Sequence, residues 1–388
     1  MNELCSQVCT FRAPTTRALP FVGIYTSMTR LPETQVLLQQ LTTSREVLRA
    51  RSSDASLPAK ELHKLLAAHL VNLQTLLASL QSQREDTYNP PLSFRADLLD
   101  VQWTSCLAAD DDTTFYAANE LTFELAEVVI NDALAFATFG ASLVRAGGDV
   151  ARPAGTAFRA AAGRLELCLA AGGIAESAAC DGFGGAADAD AAGGAASASL
   201  PRRLLPPELL PGMLRAVLEI VMAQADQMTV MKAVETGKSP SVVSKLSEGV
   251  AARYATAARE IESAGTVHED SPPGYVRPDL LLRCRGLAAA YSAAAHIALA
   301  RSLVEDVSIG RAIMSFRAAL TALDSFDFGT FTYAHASATA LAELGTIATI
   351  AAKLRAEAAA ELAKNVKSNG LLMDAVPPGD SFLFYNIV

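Results

Sequence analysis

The chain has 388 residues, 51% of them apolar but only 6% aromatic, so alanine carries much of the apolar count and adds little burial per residue. A formal charge of −9 argues against a nucleic-acid surface, which needs clustered Lys and Arg. The six cysteines form neither a disulfide framework nor a metal-ligand spacing, which points to a reducing, cytoplasmic setting.

In chain order, Met1-Asn2-Glu3-Leu4-Cys5 lacks the pattern of a secretory leader. Residue 2 is not the glycine that myristoylation requires, so peripheral membrane association would rest on acylation of Cys5 or Cys9; ordinary thiols are the plainer reading. Phe21-Val22-Gly23-Ile24-Tyr25, β-branched and aromatic after Pro20, predicts a strand of a small N-terminal sheet or an extended arm. Pro32 opens a helix to about Arg51, with Val36, Leu37, Leu41 and Leu48 in an apolar stripe. Ser56-Leu57-Pro58 starts another, whose leucines at 62, 66, 70, 73, 77 and 80 fall on one face until Asn89-Pro90-Pro91 closes it. A looser stretch from Phe94 to Asp112 holds Trp103, and helix is predicted again from about Thr113 to Leu143 and from Pro153 to Ala171.

Residues 172–200 are rich in Gly, Ala, Ser and Asp and bury too little to offset ordering entropy, so a disordered loop inserted within one domain is expected. After Pro211 a helix runs to Val234 with Val217, Val221, Met228 and Met231 in one stripe, and Leu246, Val250, Tyr254, Ala257 and Ile261 mark the next over 241–263. Ser271-Pro272-Pro273-Gly274 reads as a loop, and helices follow at roughly 278–304, 308–324 and 331–366. The most apolar stretches, 285–304 and 333–352, contain Arg285, His296 and Arg301, and His335 and Glu343, so neither reads as a membrane span.

No constellation for chemistry emerges. Gly237-Lys238-Ser239 lacks the upstream glycine and the preceding strand of a phosphate loop, and Pro240 follows it, so it reads as a turn between helices. His63 and His69 fall on different helix faces and form no metal pair. Asp110-Asp111-Asp112 lacks the alternation of a calcium loop, and no nucleophile elbow is present. No cofactor, no metal and no enzymatic activity are expected.

Several segments, taken in order, resemble the BRO1 domain family. Val221 to Gln227, Met231-Lys232-Ala233 and Lys245-Leu246 resemble its signature helix pair. Phe123-Glu124-Leu125-Ala126, Ala157 to Leu165, Ile309 to Ile313, and Lys367 to Leu371 leading to Val376-Pro377 resemble four further segments. The resemblance covers roughly 20–378 and is greatest to stand-alone, BROX-like members. It implies an all-α, elongated, boomerang-shaped domain with tetratricopeptide-like hairpins over 1–378, followed by an apolar tail, 379–388.

The resemblance also implies a scaffold whose concave face receives the C-terminal amphipathic helix of an ESCRT-III subunit of the Snf7/CHMP4 type, at endosomal membranes. Carried over, the patch includes Val242 and Leu246, and Arg152 stands for a rim lysine. Thr229 falls where the family often has an aromatic, and Gly148 where an acidic rim residue is expected. The alternative is a structural subunit of a cytoskeletal or ciliary assembly that keeps the fold and has lost this binding.

Overall fold

A computed structural model of the chain describes residues 1–25, 32–52, 54, 57–85, 99–108, 114–118, 121–170, 206–266, 276–327 and 338–374. The expected insertion 172–200, Asp110-Asp111-Asp112, the Ser271–Gly274 loop and the tail 379–388 lie outside the described residues. In chain order the elements are α1 (Asn2–Cys5), α2 (Phe21–Tyr25), α3 (Pro32–Ser52), α4 (Ala59–Glu85), β1 (Val101–Thr104), β2 (Phe115–Ala118), α5 (Leu121–Ala146) and α6 (Ala151–Ala170). A 3₁₀ turn (Pro207–Leu209) precedes α7 (Pro211–Glu235), α8 (Pro240–Thr266), α9 (Pro278–Glu305), α10 (Ile309–Asp324) and α11 (Ala338–Asp374). Among the described residues the protein is all-α apart from one two-stranded antiparallel sheet, as its helical periodicities predict.

The chain packs as two compact units, one from residues 9–222 and 259–278, the other from 1–8, 223–258 and 279–388. None of the four boundaries falls in the Gly/Ala-rich tract.

In the first unit α3, α4, α5 and α6 pack in succession. Their antiparallel register is visible where Ser44 meets His69, His69 meets Glu124, and His63 meets Asp132. Short connections favour this arrangement for α3 with α4 and α5 with α6, whereas residues 86–120 separate α4 from α5. Gly140 of α5 lets Phe158 of α6 come close: a Cβ at 140 would lie 3.0 Å from the ring. The buried stripe of α3 is Leu38, Leu41, Arg45, Leu48 and Ser52, while Val36 is 57% exposed. On α4 it is Leu62, Leu66, His69, Leu73 and Leu76. Both stripes are therefore rotated from those expected, because they admit polar residues, Arg45 and Ser52 on α3 and His69 on α4, that hydrophobicity alone excludes.

The small β element is also elsewhere than predicted. Phe21–Tyr25 is a helical turn and not a strand: Phe21 and Ile24, three apart, are both buried, and Ile24 N donates to Pro20 O. The sheet is instead β1 with β2, register Val101↔Ala118 to Thr104↔Phe115. A bridge from Thr16 to Trp103 extends it, and Thr104 N donates to Thr15 O at 2.9 Å. Helix α5 accordingly begins at Leu121 and not near Thr113.

After β1 the buried segment 105–108 is held by three parts of the chain. An Arg12 guanidinium N–H donates to Ser105 O at 3.0 Å. Glu208 accepts from the Ser105 hydroxyl and, at 3.2 Å, from Cys106 N. Arg277 N donates to Leu107 O, and Ala108 bridges Val276.

In the second unit α10 packs on α11, and so does α1. Helix α9 ends in a tight cap: Val307 N donates to Val304 O and Ser308 N to Leu303 O at 2.7 Å. That pattern places Val307 in the left-handed region, φ +56°, where glycine is the usual choice. Helices α5 and α9 are long and apolar enough to cross a bilayer by length and composition alone, but most of each apolar stretch is buried inside the protein.

Candidate protein-binding site

The hairpin of α7 and α8 carries three of the five residues singled out above, Thr229, Val242 and Leu246. Within the second unit its register is set by Arg253 donating to Asp226 at 2.7 Å and the Tyr254 hydroxyl donating to Gln227 at 2.7 Å. Gly237, φ +62°, ends α7: Lys238 N reaches Ala233 O and Gly237 N reaches Val234 O. Pro240 opens α8 at a position whose missing N–H costs nothing. Gly237-Lys238-Ser239 is thus a turn between helices, as its flanking residues predict.

Beside that turn lies a small apolar cluster of Ala233, Val243 and Ala298, against which Met1, Val234 and Leu246 pack, each partly buried. Leu246 is half-buried, and Val242, one turn earlier on α8, is 42% exposed. Thr229 is half-buried on α7, with its hydroxyl turned to Ala225 O of its own helix at 3.4 Å. Arg152 belongs to the other unit, exposed in the first turn of α6. Gly148 and its neighbour Gly147 have φ of +89° and +75° in the α5–α6 turn. An acidic side chain at 148 would be strained there, so the backbone explains that departure from the family pattern.

Beneath the hairpin Gln227 is fully buried and fully bonded. Its Nε2 donates to the Tyr291 hydroxyl at 3.0 Å and to Gln7 O at 3.1 Å, while Oε1 accepts from Tyr254. Cys5, fully buried beside Tyr291, has its thiol pushed up to about 11 by burial. Cys9 is 2% exposed. Neither thiol is presented for acylation in this fold, and the plainer reading of both fits their burial.

The sequence reading missed the charged interior of the first unit. The Arg45 guanidinium pairs with Glu124, and Glu124 also accepts from Trp103 Nε1 at 2.7 Å and meets His69 Nε2 at 3.0 Å. Burial, then the Arg45 charge, holds His69 down to about 3, so its ring is neutral near pH 7. Nε2–H therefore donates to Glu124, leaving Nδ1 to accept from the Ser44 hydroxyl at 2.7 Å. Burial pulls Arg45 down to about 9, which leaves it cationic at neutral pH. Burial and then the neighbouring Glu208 push the Glu127 carboxyl well above the ordinary carboxylate range, and it accepts from Asn131 Nδ2 at 3.1 Å. The signal was Arg45 itself, which completes the 38, 41, 45, 48 spacing. Among the described residues no cluster of His, Cys, Asp or Glu is arranged to hold a metal ion.

Among the described residues these features define a helical protein with a polar network buried in each unit and, Val307 apart, its exposed large apolar residues on helices. A family model for the BRO1-like domain matches residues 91–381, well over half of the chain, and the chain belongs to that family. No curated protein matches it. Among solved structures it is similar to ALIX in complex with the SIVmac239 late domain, with a TM-score of 0.64 at 12% identity, over 96% of this chain and 47% of that one. It is also similar to a Bro1 domain described as the structural basis for endosomal targeting, TM-score 0.63 at 14% identity, over 96% and 88%. A third is the ALIX BRO1 domain in complex with CHMP4C, TM-score 0.62 at 12% identity, over 96% and 92%. At such identities the likeness is one of fold, and the chain spans about half the length of the first ALIX chain.

Proposed function

We propose that this chain is a non-enzymatic adaptor that binds the C-terminal amphipathic helix of an ESCRT-III subunit of the Snf7/CHMP4 type, in the cytoplasm and at endosomal membranes. The docking surface is the part of the α7–α8 hairpin that carries Val242 and Leu246, with Thr229 further along α7. The observation that supports this is an exposed valine one turn from a half-buried leucine, on a helix of a BRO1-family fold. A helix laid along such a face gains from a few apolar anchors and an uncharged floor. The site so proposed is confined to residues 223–258, and Arg152 is left outside it. Residues 1–378 form the domain, with 172–200 as an insertion and 379–388 as a tail.

The test is a titration of a labelled C-terminal helix of a CHMP4-type subunit, with binding in the micromolar range expected. Leu246→Asp places an unpaired charge in the apolar floor and weakens binding at least tenfold. Absence of binding at several hundred micromolar peptide overturns the reading. It would favour instead a structural subunit of a cytoskeletal or ciliary assembly, for which the observation is Thr229: its side chain bonds back to α7 and offers no aromatic anchor.

A further inference from the structure

Residues Met1–Val8 are built into the second unit, and the way they are held changes along their length. At the root, Val8 O accepts from a buried Arg283 N–H at 2.7 Å, and Gln7 O accepts from the buried Gln227 amide at 3.1 Å. Midway, Leu4 and Cys5 are 1% and 0% exposed. At the tip the attachment is lighter. Glu3 reaches Lys353 of α11 at 2.7 Å, but both side chains are more than half exposed. The side chain of Met1 packs on the cluster of Ala233, Val243 and Ala298 that Val234 and Leu246 also touch.

We propose that Met1–Cys5 is an autoinhibitory strap, in which Met1 occupies apolar surface that an incoming amphipathic helix needs and must lift for that helix to bind. Methionine suits the role, since its unbranched thioether fills an irregular gap and leaves it without a fixed shape to defend. An ion pair in water holds the tip weakly and is screened by salt. The hydrogen bonds at Gln7 and Val8 stay dry, so the tip can lift while the root remains attached. Strap and partner then exclude one another, and the apparent affinity for the partner is reduced by the fraction of chains in which the strap is down.

The inference rests on the reading of the α8 face as a helix-binding surface, so its test carries an arm that needs no partner. Cys5 is a native reporter, because lifting the strap bares a thiol that is otherwise fully covered. Glu3→Lys and Lys353→Glu each set like charges at the tip, and the double exchange restores attraction. Either single variant should speed alkylation of Cys5, read by peptide mass, at least threefold, and the double exchange should return it to the parent rate. The same singles should tighten binding of the CHMP4-type C-terminal helix about threefold, and saturating helix should speed Cys5 alkylation of the parent chain. Binding of equal affinity in all four chains overturns the strap while leaving the proposed function standing. Absence of helix binding in all four removes the proposed function, and the alkylation rates then decide alone whether the strap lifts: rates unchanged by charge reversal overturn it.

Discussion

Each unit holds a buried polar node of a different kind, and the second also buries Arg283 against half-buried Glu343. In the first, an ionised pair, Arg45 and Glu124, is taken fully out of water and shared with His69 and Trp103. In the second, the node is a neutral amide, Gln227, bonded to two tyrosines and a backbone carbonyl. Both pin chain-distant segments together. The charged version makes each partner indispensable, because removing one strands a buried ion, whereas the neutral version strands only a hydroxyl or an amide. The contrast predicts that stability depends on pH and on single replacements far more around the Arg45–Glu124 node than around Gln227.

The largest effect is expected from Glu124→Leu, which leaves Arg45 unpaired and Trp103 and His69 without their acceptor. Urea unfolding should show a loss of about 3–5 kcal/mol. A loss below about 1 kcal/mol would erase the distinction between the networks.

The pH dependence comes next. The folded state holds His69 at about 3, below its unfolded value, so the folded chain binds fewer protons between pH 6.5 and 3. The stabilising contribution is fully present above pH 6.5 and is lost as pH falls through that window. Glu127 and Glu208, both raised by burial, act in the opposite sense: their contribution is complete below the ordinary carboxylate value and fades as pH rises through their folded values. The clean measurement is therefore the difference between the parent and His69→Gln, whose amide can still donate to Glu124. The parent should lose the more stability on acidification; parallel curves would show that His69 is not the group responsible.

In the neutral network Gln227→Leu should cost about 2 kcal/mol, and Tyr254→Phe about 1 kcal/mol, in thermal unfolding. A pH-independent difference for both would sharpen the contrast. The smallest effect runs the other way. Val307→Gly relieves a β-branched residue at φ +56° and should stabilise by about 1 kcal/mol, with helix binding unchanged.

Where local pattern and tertiary environment agree, the fold can be read from residues alone. The stripe Val217, Val221, Met228, Met231 is buried as its spacing requires, and Pro211 and Pro240 stand at helix starts. Reading fails where distant partners decide. Arg45 is interior because Glu124, Thr16 and the carbonyl of Arg17 meet it, and no window of sequence around residue 45 contains them. Phe21–Tyr25 has the composition of a strand, yet Phe21 packs beside the ring of His69, and the helical turn puts Ile24 on the same side. Strands β1 and β2 are four residues each and gain their order from one another and from Thr15 and Thr16. At the candidate site, Val242 and Leu246 were legible as apolar residues on a helix. Their exposure was not, nor was the packing of Met1 against the cluster that Leu246 adjoins, since spacing carries no record of what the far end of a chain will cover.

The clamped segment 105–108 sets an order of events for folding. Arg12 is synthesised long before it, Glu208 and Arg277 long after, yet each supplies a bond that this segment uses. On the ribosome, Ser105 and Cys106 must wait for Glu208, and Leu107 O for Arg277, to leave the exit tunnel. Loops that long cost entropy before any contact repays them, which slows the search and lengthens the time the apolar faces of α4 and α5 stand open to other chains.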